Sequence, residues 1–323
     1  MKASFIPDLS LPAIAAPMFL ISCPELVIEC CKAGIVGTFP ALNQRTTEGF
    51  EEWLVEIKTA LEKHEEETGK KPAPFGVNLI VHKTNPRLQA DLEICVKHKV
   101  PLIITSLGAV SEIVDAVHSY GGLVFHDIIK KRHAEKASEA GVDGLILVAV
   151  GAGGHAGTIN PMVLVSEIRQ FYDKTILLSG GITTGRDIAS ATQMGADLAY
   201  MGTRFINTDK GKANDEYKQM IIDAGASDVV YTAAVSGVHA NFLRASLESM
   251  GITEALWSQS AKVDFGEELK ADEAKAWKTI WSAGQGVANI KDTIPVSELV
   301  ARLKSEFKAA INEQIQTLER FDV

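Results

Sequence analysis

No two of the four cysteines, Cys23, Cys30, Cys31 and Cys95, stand in a Cys-x-x-Cys pair. That excludes a zinc ribbon and a disulfide framework, and it is the usage expected of a cytoplasmic, reducing setting. Positive charge is short as well: 32 Lys and Arg against 41 Asp and Glu leave a formal net charge of −9. Nucleic-acid binding rests on Lys and Arg neutralising phosphates, so that class is not expected. The one basic cluster, Lys130-Lys-Arg-His133, reads as the solvated face of a helix. No apolar stretch reaches the roughly 20 residues that span a bilayer, so no membrane partner is expected. The apolar start, Met1 to Ser22, is broken by Pro7, Asp8, Pro12 and Pro17 and carries no basic flank beyond Lys2. It reads as a buried first strand, not a signal peptide.

The chain has 323 residues, 46% of them hydrophobic, enough to bury a large core in one domain or two. Short apolar runs alternate with amphipathic stretches. Strands are expected at 11–16, 34–38, 74–79, 102–105, 123–126, 144–148, 175–179 and 198–201. Helices are expected near 24–33, 47–66, 86–98, 109–119, 131–140, 161–171, 185–194 and 213–224. Near-continuous apolar strands alternating with helices imply a parallel sheet covered on its faces. Eight such units close a (β/α)₈ TIM barrel, whereas an open doubly wound sheet of eight strands leaves two edges unprotected.

Residues 225–290 break the rhythm, with Gly225, Gly237, Gly251, Tyr231 and the tryptophans Trp257, Trp277 and Trp281, in helical pieces without a clear strand. A closing helix follows Pro295, with Leu299, Leu303, Phe307, Ile311 and Ile315 recurring every four residues. The expected organisation is therefore a barrel from 1–212 and 287–323, with a smaller, mainly helical insertion, 213–286, after the eighth strand. An insertion there lies on the catalytic face of a barrel, as a substrate-side lid or as a packed appendage.

Strand C-termini converge on one mouth in this fold. In order they supply Ala16-Pro17-Met18, Asn78, Thr105-Ser106, His126-Asp127, the loop Gly151-Ala-Gly-Gly-His-Ala-Gly157, Ser179-Gly180-Gly181 and Tyr200-Met201-Gly202-Thr203. No lysine ends the sixth strand, which argues against a Schiff-base aldolase, and no histidine cluster has metal spacing. The loop around His155 matches a dinucleotide fingerprint, yet Pro161 postpones the helix that such a site requires. Flanking glycines give His155 little to pack against, so it is the candidate catalytic residue. The glycine turns after the last two strands, with Thr184 and Asp187 opening a helix, fit a phosphate site. Arg204 could pair with that phosphate or with a structural carboxylate. His126 could bond to backbone or contact a ligand, and Met18 could pack on a flat ring or plug the barrel.

These segments resemble the nitronate monooxygenase family, formerly the 2-nitropropane dioxygenases. The matching pieces are Ala15-Ala-Pro-Met18, Phe75-Gly-Val-Asn78, the Gly151–Gly157 loop, Ser179-Gly-Gly181, Tyr200-Met-Gly-Thr-Arg-Phe205 and Ser282-Ala-Gly-Gln-Gly286. The resemblance implies an FMN-dependent (β/α)₈ monooxygenase in which His155 stands beside the flavin. Ala16, Pro17, Met18, Asn78, Asp127, Gly153, Ser179, Tyr200 and Met201 would border the cofactor. Gly180, Gly181, Gly202 and Thr203 would cradle its phosphate, and 213–286 would be the substrate-side domain. Some branches of the family carry lysine where this chain has Asp127, a departure that bears on how reduced flavin is stabilised.

The activity implied is oxidation of alkyl nitronates by O₂ to a carbonyl compound and nitrite, with His155 as a donor in its protonated form or as a base on the neutral nitroalkane, assisted by the Gly153 and Gly154 amides. The implied partners are a small nitronate and O₂, with a homodimer left open. Two alternatives stay open: an NAD(P)H-dependent quinone or enoyl-thioester reductase, and a phosphometabolite-binding barrel without flavin.

Overall fold

Eight parallel strands close on themselves in a computed structural model that describes residues 1–108, 111–235, 237–257 and 280–321. The barrel strands are β1 (Ala13–Ala15), β2 (Val36–Pro40), β3 (Phe75–Val81), β4 (Leu102–Leu107), β5 (Leu123–Ile128) and β6 (Gly144–Val148), followed by β8 (Thr175–Ser179) and β9 (Leu198–Met201). β9 pairs with β1 to complete the circle. The short β7 (Gly154–His155) lies outside it. All eight expected strands are present, and their residues alternate between two faces. Val124, Leu145, Leu147, Ile176, Leu178 and Met201 pack outward against the helices. Ile14, Val36, Ile104, Phe125, Ile146, Leu177 and Leu198 fill the lumen.

Helices α1 (Pro24–Lys32), α2 (Thr47–Thr68), α3 (Leu88–Lys97), α4 (Ser111–His118), α5 (Lys131–Glu139), α6 (Pro161–Arg169) and α7 (Gly185–Gln193) follow successive strands, as expected. α8 (Thr203–Ile206) and α9 (Asp215–Asp223) follow β9. Only 13–15 of the apolar start forms a strand; Ala3, Phe5, Ile6 and Leu9 pack on the lumen cluster instead and stopper the barrel floor. Among the described residues no helix is long and apolar enough to cross a membrane.

The insertion departs from expectation. Two strands stand within 225–290, β10 (Val229–Thr232) and β11 (Ala240–Leu243), paired antiparallel, and β11 pairs in turn with β7. Each has four residues, too few to show a period of two against the flanking sequence. Helices α10 (Arg244–Ser249) and α11 (Glu254–Trp257) follow; Trp277 lies outside the described residues. The ring of Trp281 stacks on Tyr217 of α9 at 4.9 Å.

The closing helix α12 (Val296–Phe321) packs on α7 and α1. Leu299 and Leu303 are buried, whereas Ile315 is exposed. A strict four-residue repeat drifts about 40° per step around a helix, so the stripe turns away from the core.

Candidate active site

Strand alternation decides which residues reach the mouth. Asn78, Ser106, Asp127, Ser179 and Tyr200 share the face of the lumen residues two positions below them on the same strands. Met201 faces the opposite way and is buried in the helix layer, so its expected place beside a cofactor is corrected to its main chain alone. Its carbonyl accepts from Ala16 N at 2.9 Å. His126 also points outward. Its Nδ1 lies 2.8 Å from Thr105 Oγ1, and burial pushes its pKa down to about 4. It is a neutral histidine in the barrel wall; the open choice between backbone and ligand resolves to a protein hydroxyl.

A hydrogen-bonded row crosses three strands inside the mouth. Asn78 Nδ2 donates to Ser106 Oγ at 2.9 Å, and Ser106 Oγ donates to Asp127 Oδ2 at 2.6 Å. Burial pushes the Asp127 carboxyl up to about 6, against the stabilising Ser106 hydroxyl and Leu107 amide. Burial, then the nearby Asp127, holds Tyr200 well above its ordinary pKa, so its hydroxyl stays protonated.

His155 stands on a pinned strand, not in a free loop. In register, His155 pairs with Ala240 and Gly154 with Asn241. Asn241 Nδ2 donates to Ala152 O at 2.6 Å. Ser282 Oγ accepts from Gly154 N at 2.6 Å and donates to Asn241 O at 2.9 Å. The Tyr217 hydroxyl donates to the Ser282 carbonyl. The expectation that the Gly154 amide faces a ligand is therefore corrected, because Ser282 already holds it. Gly153 is exposed, and a Cβ there would come within 2.9 Å of Gly284 N, so close backbone approach requires a glycine. His155 is exposed as a residue, yet the atoms around its ring desolvate it and lower its pKa below the ordinary value.

The segment 282–286 ties this loop to the glycine turns. Gln285 N donates to Gly151 O at 2.9 Å, and Gly284 N donates to Thr203 Oγ1 at 2.9 Å. Beyond these, the expected phosphate site needs one correction. The N-terminus of α7 is already closed by carboxylates. Asp187 Oδ2 accepts from Thr183 N and Thr184 N at 2.9 and 2.8 Å, and Glu306 of α12 accepts from Gly185 N at 2.7 Å. A Cβ on Gly185 would collide with the Leu303 carbonyl, so α12 also covers that helix end.

What stays open is the pair of turns themselves. Among the described residues the Gly181 and Gly202 amides donate to no protein acceptor. Gly181, at φ +70°, has nothing within 4 Å of where a Cβ would stand. A Cβ on Gly202 would face Met18 Sδ at 3.7 Å and Ala16 Cβ at 3.8 Å, bringing Ala16 and Met18 to the same turn. Pro17 is half-buried between them. Gly180, at φ +133°, packs against the Val150 carbonyl. Free amides beside a space that a side chain would fill suit a phosphate, with the apolar Met18 and the polar row suiting a ring. Arg204 takes no part: its buried guanidinium donates to Asp292 O at 3.1 Å and Oδ1 at 2.8 Å.

Sequence reasoning set Ser106 at the mouth without giving it a role, and passed over Ser282 and Asn241 as site residues. Ser106 was readable from its spacing two after Ile104 in an apolar strand. Ser282 and Asn241 meet only through the fold, 41 residues apart.

The profile of the family described as nitronate monooxygenase matches residues 87–306. A nitronate monooxygenase of Paraburkholderia phytofirmans is 24% identical, over 97% of this chain and 97% of that protein. A Rhodococcus jostii enzyme named (3aS,4S,5R,7aS)-5-hydroxy-7a-methyl-1-oxo-octahydro-1H-indene-4-carboxyl-CoA dehydrogenase is 25% identical, over 87% of this chain and 76% of that protein. Two solved structures share the fold over 97% of this chain. FabK from Thermotoga maritima has a TM-score of 0.79 at 22% identity, covering 97% of that chain. A nitroalkane oxidase from Streptomyces ansochromogenes has 0.77 at 23%, covering all of that chain.

Proposed function

The chain belongs to the nitronate monooxygenase family of flavin-dependent oxidoreductases, and on that footing we propose that it uses FMN and O₂ to convert alkyl nitronates to carbonyl compounds and nitrite. One observation carries this reading. The bonds Gln285 N–Gly151 O and Gly284 N–Thr203 Oγ1 join the His155 loop to the open glycine turns, so imidazole and anion cradle share one mouth.

Gly180, Gly181, Gly202 and Thr203 would hold the phosphate of FMN, and Ala16, Pro17, Met18, Asn78, Asp127, Ser179 and Tyr200 would border its ring. Bound there, FMN supplies the two-electron chemistry and the reaction with O₂ that no side chain provides. The lowered pKa keeps His155 neutral near pH 7, so one ring nitrogen accepts a proton while the other can donate. His155 then takes the proton from the carbon bearing the nitro group of a neutral nitroalkane, leaving a nitronate anion opposite a new imidazolium. Pairing with β11 fixes the backbone of His155 for that transfer, and the described residues of 213–257, which carry β11, would stand on the substrate side.

Oxygen uptake by the purified yellow protein, with the nitronate of a small nitroalkane, tests this. Nitrite should appear with the oxygen consumed. A flavin-loaded protein that consumes no oxygen with any small nitronate overturns it.

A second reading is reduction of an unsaturated acyl thioester or quinone by NAD(P)H. It is favoured by the Rhodococcus relative, whose name places a carboxyl-CoA thioester in its substrate. Anaerobic bleaching of the flavin by NADH selects this reading.

A further inference from the structure

Among the side chains that line the lumen at the strand ends are Asn78, Ser106, Asp127, Val148, Ser179 and Tyr200. Only one of them carries a charge, and it is negative. A carboxylate facing an enclosed apolar barrel costs free energy unless a cation or several donors answer it. Here the answer is incomplete. The Ser106 hydroxyl and the Leu107 amide are the stabilising contacts, and no cation stands beside the carboxyl among the described residues. The backbone is also distorted at this point. Leu107 has φ +74°, a left-handed conformation that strains a residue with a Cβ. Such strain persists where the surroundings hold it, and here it sits on the residue whose N–H meets Asp127.

We propose that Asp127 sets the charge class of the ligand that this mouth accepts: as a carboxylate it repels an anion, and as a carboxylic acid it donates a hydrogen bond to one. The inference rests on the mouth being the flavin and substrate site. It narrows the substrate preference: in acid the site takes anionic nitronates and nitrite, and above neutrality it favours neutral molecules such as the parent nitroalkane.

Each neighbouring element supplies a group that bears on this. β3 gives the Asn78 amide, β4 the Ser106 hydroxyl, and β6 the apolar Ile146 and Val148. β9 gives Tyr200, which keeps its proton. Across the mouth β7 gives His155, whose own proton uptake on acidification also favours an anion. The test has to separate these two.

Nitrite is the probe, and its affinity for the flavin-loaded protein is read from the change in flavin absorbance between about pH 5 and pH 8, a span that brackets the Asp127 titration. In the wild type, affinity should fall by up to about tenfold per pH unit above a break near pH 6. Asp127→Asn, of equal size and without charge, should lose that break. Ser106→Ala removes a donor to the anion and should move the break to higher pH, which a merely structural serine would not do. His155→Gln should keep it. The same profile in wild type and Asp127→Asn, or loss of the break only in His155→Gln, overturns the proposal. A protein that takes up no flavin overturns the site reading itself and this inference with it.

Discussion

His126 and Asp127 are consecutive on β5 and face opposite sides of the barrel wall. The imidazole lies among the helices against Thr105, and the carboxyl lies in the mouth against Ser106. The same cause, burial, moves the two pKa values in opposite senses, His126 down to about 4 and Asp127 up to about 6.

This pair gives a stability prediction whose sign follows from linkage. The folded pKa of His126 is depressed, so below about 6.5 the unfolded chain binds the extra proton and stability is lost as pH falls towards 4. The folded pKa of Asp127 is raised, so its contribution is fully present below about 3.9 and is lost as pH rises through 6. Each shift is worth on the order of 2–3 kcal/mol, and across this window they oppose one another. Urea midpoints should therefore show a shallow acid limb in the wild type. Asp127→Asn should be steeper, because His126 then acts alone. Equal slopes in the two proteins would contradict the opposed shifts.

His155→Ala should lower turnover of a neutral nitroalkane by about 10²–10⁴-fold, the usual size of a general-base contribution. A pre-formed nitronate needs no deprotonation and should lose less. Flavin content should be unchanged, as read from the visible spectrum. Equal losses on both substrates would argue for a binding role instead.

Ser282→Ala strands two partners at once, the Gly154 amide and the Asn241 carbonyl. An unanswered buried polar group costs about 1–3 kcal/mol. The expected result is a lower melting temperature and a lower kcat, with FMN affinity retained, since Ser282 touches neither open glycine turn.

Gly181→Val tests the cradle. The side chain would enter space that is empty in the protein, and the φ of +70° adds strain of about 1–2 kcal/mol. FMN affinity, followed by the fluorescence of released flavin, should fall at least about tenfold. Unchanged affinity would place the phosphate elsewhere.

Much of this was legible in the amino-acid order. The eight barrel strands announce themselves because each is a continuous apolar run bounded by turn residues, and glycine clusters mark where backbone must approach backbone or ligand. His155 stands out for the same reason: it is an imidazole set among glycines at the end of an apolar run. The family resemblance is carried by these same segments.

Other features depend on where the chain meets itself. Capping chemistry made the start of α7 look like an anion site; Asp187 takes two of its amides, and α12, arriving with Glu306 and the Leu303 carbonyl, closes the rest. Ser282 reaches the Gly154 amide across 128 residues, a separation at which no local pattern is visible. The choice between His126 and Asp127 as the mouth residue was a question of parity. The order of residues determined that the two must face opposite ways, since strand side chains alternate. Closure of the barrel decided which one faces inward, because the inner face has room for one set of side chains and the helices bury the other.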